Sequence, residues 1–389
     1  MNRRISGVPF TLYRGGTSKG VFLHRDSLPT AREALCAALL DIFGSPDPRQ
    51  IDGLGGGDKL TSKAAIMGPS TQPDTDIDYL FAQVGIRTAE VDFNLNCGNL
   101  TAAVAAYAVH EGYVTAAGER ATVRIHNVNT GRIIRASVPL KDGMPLEEGL
   151  FSMDGVPGTG APIDLDFGAA VGAITGKFMP FDEPSTRLDV PGRGVFEVSV
   201  IDGPNLIVIV AADDLGMSGI ETPAEIDGNT ALTDLMQAIR QTVAERVGLG
   251  DYWRSRAAPS TPMLVAVQAP REYVAYTTGA RVAATDMDLI CRQYSTAATS
   301  KALAATVSAA MAMACRVPGS IAERYMNKTG NDAVRLGHPC GTITVKCVGG
   351  QGSDGFVIET ATIQRTAHLI ARGEVFLKRP ADGGANDAA

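Results

Sequence analysis

No run in the 389-residue chain is apolar for long enough to cross a bilayer. The most apolar stretches, such as Leu206 to Ala212, fall far short of the roughly 20 residues that a spanning helix needs. The basic N-terminus, Met1 to Thr11, is not followed by an apolar run of signal-peptide length. Paired cysteines are missing too: Cys36, Cys97, Cys291, Cys315, Cys340 and Cys347 are scattered and show no CxxC spacing. That excludes a zinc knuckle or a disulfide framework, and a reduced, cytoplasmic setting is expected. Histidine is scarce, and His24, His110, His126, His338 and His368 show no HxxxH or HxH spacing, so no bound metal is expected. There is no GxSxG elbow for a serine hydrolase. Neither GxxxxGK[ST] nor a GxGxxG after a first strand is present, so no nucleotide cofactor is expected. Positive charge is also short, 35 Lys and Arg against 42 Asp and Glu for a net charge of −7, which argues against a nucleic-acid surface.

The chain does have globular composition, 45% hydrophobic and 20% charged, with an excess of glycine: 43 residues, about 11% against a usual ~7%. Apolar spacing predicts helices over Ala31–Phe43, Leu100–His110, Thr230–Val247 and Lys301–Cys315. Strands are predicted on either side of a glycine turn in Thr11–Leu23, and over Ala64–Gly68, Asp78–Ile86, Ala121–Asn127 and Arg132–Leu140. The second half returns strands in Gly194–Ala211, Pro262–Gln268, Val334–Cys347 and Phe356–Ile363. The order in the two halves is alike. We therefore expect an α+β protein of two pseudo-duplicated domains, residues 1–183 and 184–378, with one site in the cleft between them and a disordered tail at 379–389.

Three glycine-rich places attract attention. Arg14-Gly15-Gly16-Thr17-Ser18-Lys19-Gly20 gathers cations and hydroxyls around glycines, a composition suited to an anion; an ordinary tight turn is the alternative. Gly53 to Gly57 precedes Thr61-Ser62-Lys63, where Lys63 is either a solvated surface residue or, if it faces a cleft, a base. Asn96-Cys97-Gly98-Asn99 stands directly before a helix. There Cys97 meets the positive end of the helix dipole, and the same N–H groups can hold a carboxylate. In the second half, Thr306 and Ser308 could cap a helix or bind an anion. His338 sits in the turn Gly337-His338-Pro339-Cys340-Gly341, and Cys340 invites a two-cysteine scheme with Cys97.

Read in order, the Arg14–Gly20 segment, Gly44-Ser45-Pro46-Asp47-Pro48, Gln50-Ile51-Asp52-Gly53, Thr61-Ser62-Lys63, Asp78-Tyr79-Leu80-Phe81 and Asn96-Cys97-Gly98-Asn99-Leu100 resemble the methylaconitate isomerase (PrpF) family. That family also holds 4-oxalomesaconate and 3-methylitaconate isomerases. The resemblance continues through Asp154-Gly155-Val156, Gly337-His338-Pro339 and Arg365-Thr366-Ala367. It implies a diaminopimelate epimerase-like fold, each domain wrapping a sheet around a central helix. It also implies cofactor-independent migration of a double bond in an unsaturated di- or tricarboxylic acid, with 2-methylaconitate or aconitate foremost. By motif, Lys63 and Cys97 match the family's catalytic lysine and cysteine. Arg14, Gly16, Thr17, Ser18, Lys19, Asn96, Gly98, Asn99, Thr306, Ser308 and His338 are the expected substrate-binding set. Cys340 departs from a common serine and receives no role. An oxalomesaconate tautomerase, a cysteine-based racemase and a non-catalytic carboxylate binder remain alternatives, and a homodimer is left open as the assembly.

Overall fold

The computed structural model describes residues 7–94, 96–352 and 355–378; the expected disordered tail lies outside the described residues. The first part of the chain forms β1 (Gly7–Gly15), β2 (Ser18–His24), α1 (Arg32–Phe43), β3 (Lys63–Pro69), β4 (Ile77–Val84), α2 (Gly98–His110), β5 (Arg120–Asn127), β6 (Arg132–Lys141) and β7 (Ile163–Asp166). The second forms β8 (Thr186–Val190), β9 (Gly194–Asp202), β10 (Leu206–Ala211), α3 (Thr230–Arg246), β11 (Met263–Gln268), β12 (Leu289–Ser295) and α4 (Ala305–Ala314). It ends with β13 (Ala333–His338), β14 (Gly341–Gly352), β15 (Gly355–Arg365) and β16 (Ala367–Phe376).

Strand pairing makes the duplication explicit. From β1 to β7 the successive neighbours β1, β2, β3, β4, β5, β6, β7 pair antiparallel, parallel, antiparallel, parallel, antiparallel, antiparallel. The series β9, β10, β11, β12, β13, β14, β15 has the same six pairings in the same order. The outer neighbours match as well: β16 pairs antiparallel with β1, and β8 with β9. The two series meet where β7 pairs with β15. Each parallel step needs a crossover, and helices supply it: α1 and α2 in the first series, α3 and α4 in the second.

Sequence chemistry explains which helices lie inside. α1 is amphipathic and buries Leu35, Ala38, Leu39 and Ile42 on one face, ending at Gly44 in the left-handed region at φ 69°. α2 and α4 are rich in alanine and buried nearly all round, so each can sit close against a sheet curled about it. One hydrophobic core contains both central helices and runs across both series, with separate cores under α1 and α3.

Three departures from the sequence reading have local causes. The helix expected from Lys301 begins only at Ala305, because Lys301 is tied by an ion pair to Asp58 at 2.7 Å and Ala304 N–H donates to the Gln293 side chain at 3.0 Å. β12 escapes periodicity because all seven of its residues are buried, Arg292 and Gln293 included. β16 is mostly exposed and follows β15 after the single residue Thr366, so no turn signal marks it.

Candidate active site

The two central helices bring their N-termini together. A Cβ built on Gly98 would lie 2.9 Å from Cγ2 and 3.0 Å from the backbone nitrogen of Thr306, so only glycine permits this approach. Neither helix has a side-chain cap: the N-cap residues are Cys97 and Ala304. The first intrahelical bonds run from Thr101 N–H to Cys97 O at 3.1 Å and from Ser308 N–H to Ala304 O at 2.8 Å. The N–H groups of Gly98, Asn99 and Leu100, and of Ala305, Thr306 and Val307, precede those ladders. Two positive helix ends thus share one small space, the arrangement that favours an anion.

Each helix end is also gripped by a hairpin turn from its own series. In the first, Asn99 Nδ2 donates to Thr17 Oγ1 at 3.0 Å, while Arg365 Nε donates to Asn99 Oδ1 at 3.1 Å. Gly16, at φ 52°, accommodates this, since a Cβ there would lie 2.4 Å from Asn99 Oδ1. In the second, Asn205 Nδ2 donates to Thr306 Oγ1 at 2.7 Å and to Asn96 O at 3.1 Å, and Asn205 Oδ1 accepts from Asn96 N–H at 3.1 Å. Burial pulls the Arg365 guanidinium down to about 9. No carboxylate offsets that burial among the described residues, so the guanidinium adds positive potential behind Asn99.

The helix ends open onto a cavity of about 50 Å³. Lys63, Cys97, Asn96, Gly98, Asn99, Ser18 and Thr306 line it, and so do Lys59, Gln83, Ser260, Met263 and Ala304. Lys63 opens β3 directly opposite Gln83 on β4, and its Nζ donates to Gln83 Oε1 at 2.8 Å. Its Nζ also stands 5.0 Å from the centroid of Phe81, two residues along the same strand face. Lys63 and Cys97 are both 7% exposed, which places them inside the protein yet at the cavity wall. Ser18 Oγ is buried without a hydrogen-bond partner among the described residues and lines the same space. Every titratable group on the cavity wall comes from the first series: Lys59, Lys63 and Cys97.

Not every expected residue reaches the cavity. Arg14 donates from Nη1 to Gly16 O, Thr366 O and Thr366 Oγ1, bracing the hairpin turn from outside. Lys19 alternates to the strand face away from Ser18 and is absent from the cavity wall. Thr17 acts on Asn99 rather than lining the space. Ser308 donates from Oγ back to Ala304 O at 3.0 Å, so it does not cap α4, and it is absent from the cavity wall. His338 is buried behind the site; burial, with Arg365 and Arg292 adding to it, pulls its imidazole down to about 3, so the ring stays neutral. Cys340 is also off the cavity wall, its Sγ donating to Lys301 O at 2.8 Å. No second thiol faces Cys97 there, because the equivalent N-cap is Ala304.

Residues beyond the sequence reading complete the site. Lys59 lies four positions before Lys63 in the glycine-rich segment, a spacing that could have been noticed. Asn205, in the Asp202–Asn205 turn, is the second-series counterpart of the Thr17 turn, and comparing the two halves turn by turn would have found it. Gln83, Ser260 and Gln293 carry no sequence signal.

A family model described as "PrpF protein" matches residues 5–378. The chain is 41% identical to 3-methylitaconate isomerase of Eubacterium barkeri over 96% of this chain and 97% of that one. It is 36% identical to 2-methyl-aconitate isomerase of Shewanella oneidensis, covering 96% and 97%. It is also 36% identical to 4-oxalomesaconate tautomerase of Pseudomonas putida, covering 97% and 98%. The crystal structure of a methylitaconate-delta-isomerase superposes with a TM-score of 0.80 at 40% identity, covering 99% of both chains. A hydroxyproline epimerase from Agrobacterium vitis shares the fold at a TM-score of 0.58 and 12% identity, covering 99% and 96%. With the duplicated epimerase-like fold and a family match over nearly its whole length, the chain belongs to the PrpF family.

Proposed function

We propose that the protein is an allylic isomerase that moves a carbon–carbon double bond in an unsaturated di- or tricarboxylic acid, 2-methylaconitate or aconitate in first place. Its relatives' names support the isomerase class, and their acids all carry a double bond beside a carboxylate. The observation that carries the reading is the meeting of Lys63 and Cys97 with two uncapped helix ends in one cavity.

The chemistry follows from the substrate. Lys63, acting as the neutral amine, takes a proton at Nζ from the carbon allylic to the double bond. The freed electron pair forms a new C=C bond, and the old π pair moves toward the conjugated carboxylate as a dienolate. A proton then returns two carbons away, either from the Lys63 ammonium just formed or from the Cys97 thiol. In the second case the proton on Lys63 passes to the thiolate and restores both groups. The carboxylate recovers its charge distribution. The helix N–H groups and Ser18 Oγ stabilise the dienolate oxygens, each well-aimed donor contributing about 3–4 kcal/mol. Because the titratable wall is one-sided, removal and return take place on one face. The 36% identity to an oxalomesaconate tautomerase equals that to a methylaconitate isomerase, so tautomerisation of a 4-oxo acid stands as the second reading.

The test is incubation with 2-methylaconitate, aconitate, 3-methylitaconate and 4-oxalomesaconate in deuterium oxide, following vinyl and methylene proton signals. Isomer formation with deuterium entry at the allylic carbon supports the reading. Absence of both with every acid overturns it.

A further inference from the structure

Beside the inner cavity lies a larger cleft of about 510 Å³. The two spaces share Lys59, Leu60, Gln83 and Thr296 on their walls, so Lys59 stands at the passage between them. The inner space is about a tenth of the outer one by volume. A di- or tricarboxylate at Lys63 and Cys97 that outgrows the inner space extends past Lys59 into the outer cleft.

Lys59 is poorly compensated there. Its Nζ donates to Ala298 O at 3.0 Å, and no carboxylate oxygen lies within ion-pair distance among the described residues. An ammonium has three donors, so two are spare. Burial pulls its pKa down to about 7, with Asp227 and Asp58 opposing and Lys63 and Arg240 reinforcing. The acids of the outer wall have other hydrogen-bond partners: Asp58 pairs with Lys301 at 2.7 Å, Asp227 accepts from Thr299 N–H at 2.8 Å, Asp92 accepts from Tyr252 Oη at 2.7 Å, and Glu90 accepts from Ala257 N–H at 3.2 Å. Thr299 Oγ1, also on the outer wall, is buried without a partner among the described residues.

Building on the isomerase reading, we propose that Lys59 receives a substrate carboxylate extending from the inner cavity into the outer cleft, so that the enzyme selects a tricarboxylate over a dicarboxylate. The two inner helix ends hold the carboxylates near the reacting carbons. The third falls at Lys59, with the Thr299 hydroxyl as a second donor. Lys59 is thus a specificity residue on the substrate rather than the base.

The experiment measures calorimetric binding and steady-state kinetics with 2-methylaconitate and 3-methylitaconate at pH 7, for wild type, Lys59→Met, Lys59→Gln and Lys59→Arg. Folding is checked by thermal melting. Wild type is expected to bind the tricarboxylate at least ten-fold more tightly. Lys59→Met and Lys59→Gln bring that ratio close to one, whereas Lys59→Arg retains most of it. An unchanged ratio in the neutral variants overturns the proposal, as does a loss confined to kcat with KM unmoved. Binding is read apart from turnover. Selective loss of tricarboxylate binding without isomerisation would keep Lys59's role and refute the isomerase reading. Normal isomerisation with an unchanged ratio would do the reverse.

Discussion

Cys97 and Ala304 occupy the same position, the N-cap, on the two central helices, and only Cys97 carries an exchangeable proton. The first residues of β3 and β11 repeat the contrast, Lys63 in one and Met263 in the other, and all four line the cavity. In the proposed isomerase, a duplicated fold keeps its symmetric helix ends for holding charge, while the groups able to move a proton stand on one side.

That asymmetry predicts the stereochemistry. With an acid stereospecifically deuterated at the allylic methylene, the hydrogen removed and the hydrogen delivered should lie on the same face of the substrate plane. Some label should also return internally when one group shuttles it. NMR of the product reads both, and delivery to the opposite face would contradict the one-sided account.

Gly98→Ala should be costly out of proportion to one methyl group. The added Cβ would press on Thr306 and within 3.0 Å of Phe167 Cζ, and the backbone of α4 cannot give way as a flexible side chain would. A loss of about 1–3 kcal/mol is expected, the usual range for overpacking, together with a fall in turnover as the helix ends separate. Urea unfolding and steady-state rates check this, and adding Thr306→Ser should recover part of the stability.

Asn205 joins the two series by bonding Asn96 and Thr306 together. Asn205→Ala leaves several buried groups unpaired, and about 2–4 kcal/mol of stability should be lost. Asn205→Asp keeps the acceptor but places a carboxylate beside the anion site, so KM should rise by ten-fold or more. Denaturant midpoints and Michaelis curves separate the two effects.

His338 gives a pH signature. Its folded pKa of about 3 lies below the unfolded value of about 6.5. Between those values the unfolded chain binds the extra proton. The contribution of neutral His338 is therefore complete above about pH 6.5 and is lost as pH falls toward 3, at about 1.4 kcal/mol per pH unit. Unfolding free energies at pH 6.5, 5.5 and 4.5 should fall less steeply in His338→Asn by about that slope.

Much of this was legible in the sequence because it is local. The helix of Leu100–His110, the hairpin around Gly16 and the strand after Lys63 follow from spacing and from residues that turns require. The motif around Cys97 pointed to a helix N-terminus, and Cys97 is the N-cap residue of α2. What stayed hidden depends on partners distant in sequence. Lys59 and Gln83 become site residues only because a cleft opens beside β3 and β4. Arg14 and Lys19 carry the right charge for an anion, yet strand alternation and a bond to Thr366 direct them elsewhere. His338 looked like a polar turn residue, and only tertiary packing makes it a buried neutral ring.

The central claim, that Lys63 and Cys97 move the proton of an unsaturated polycarboxylate, is tested most directly by deuterium entry. Wild type, Lys63→Ala and Cys97→Ala, each confirmed as folded, would be incubated with 2-methylaconitate in deuterium oxide, and label at the allylic carbon followed over time. We predict label and isomer in wild type, with rates at least 100-fold lower in Lys63→Ala and clearly reduced in Cys97→Ala. Wild-type rates in both variants would contradict the account.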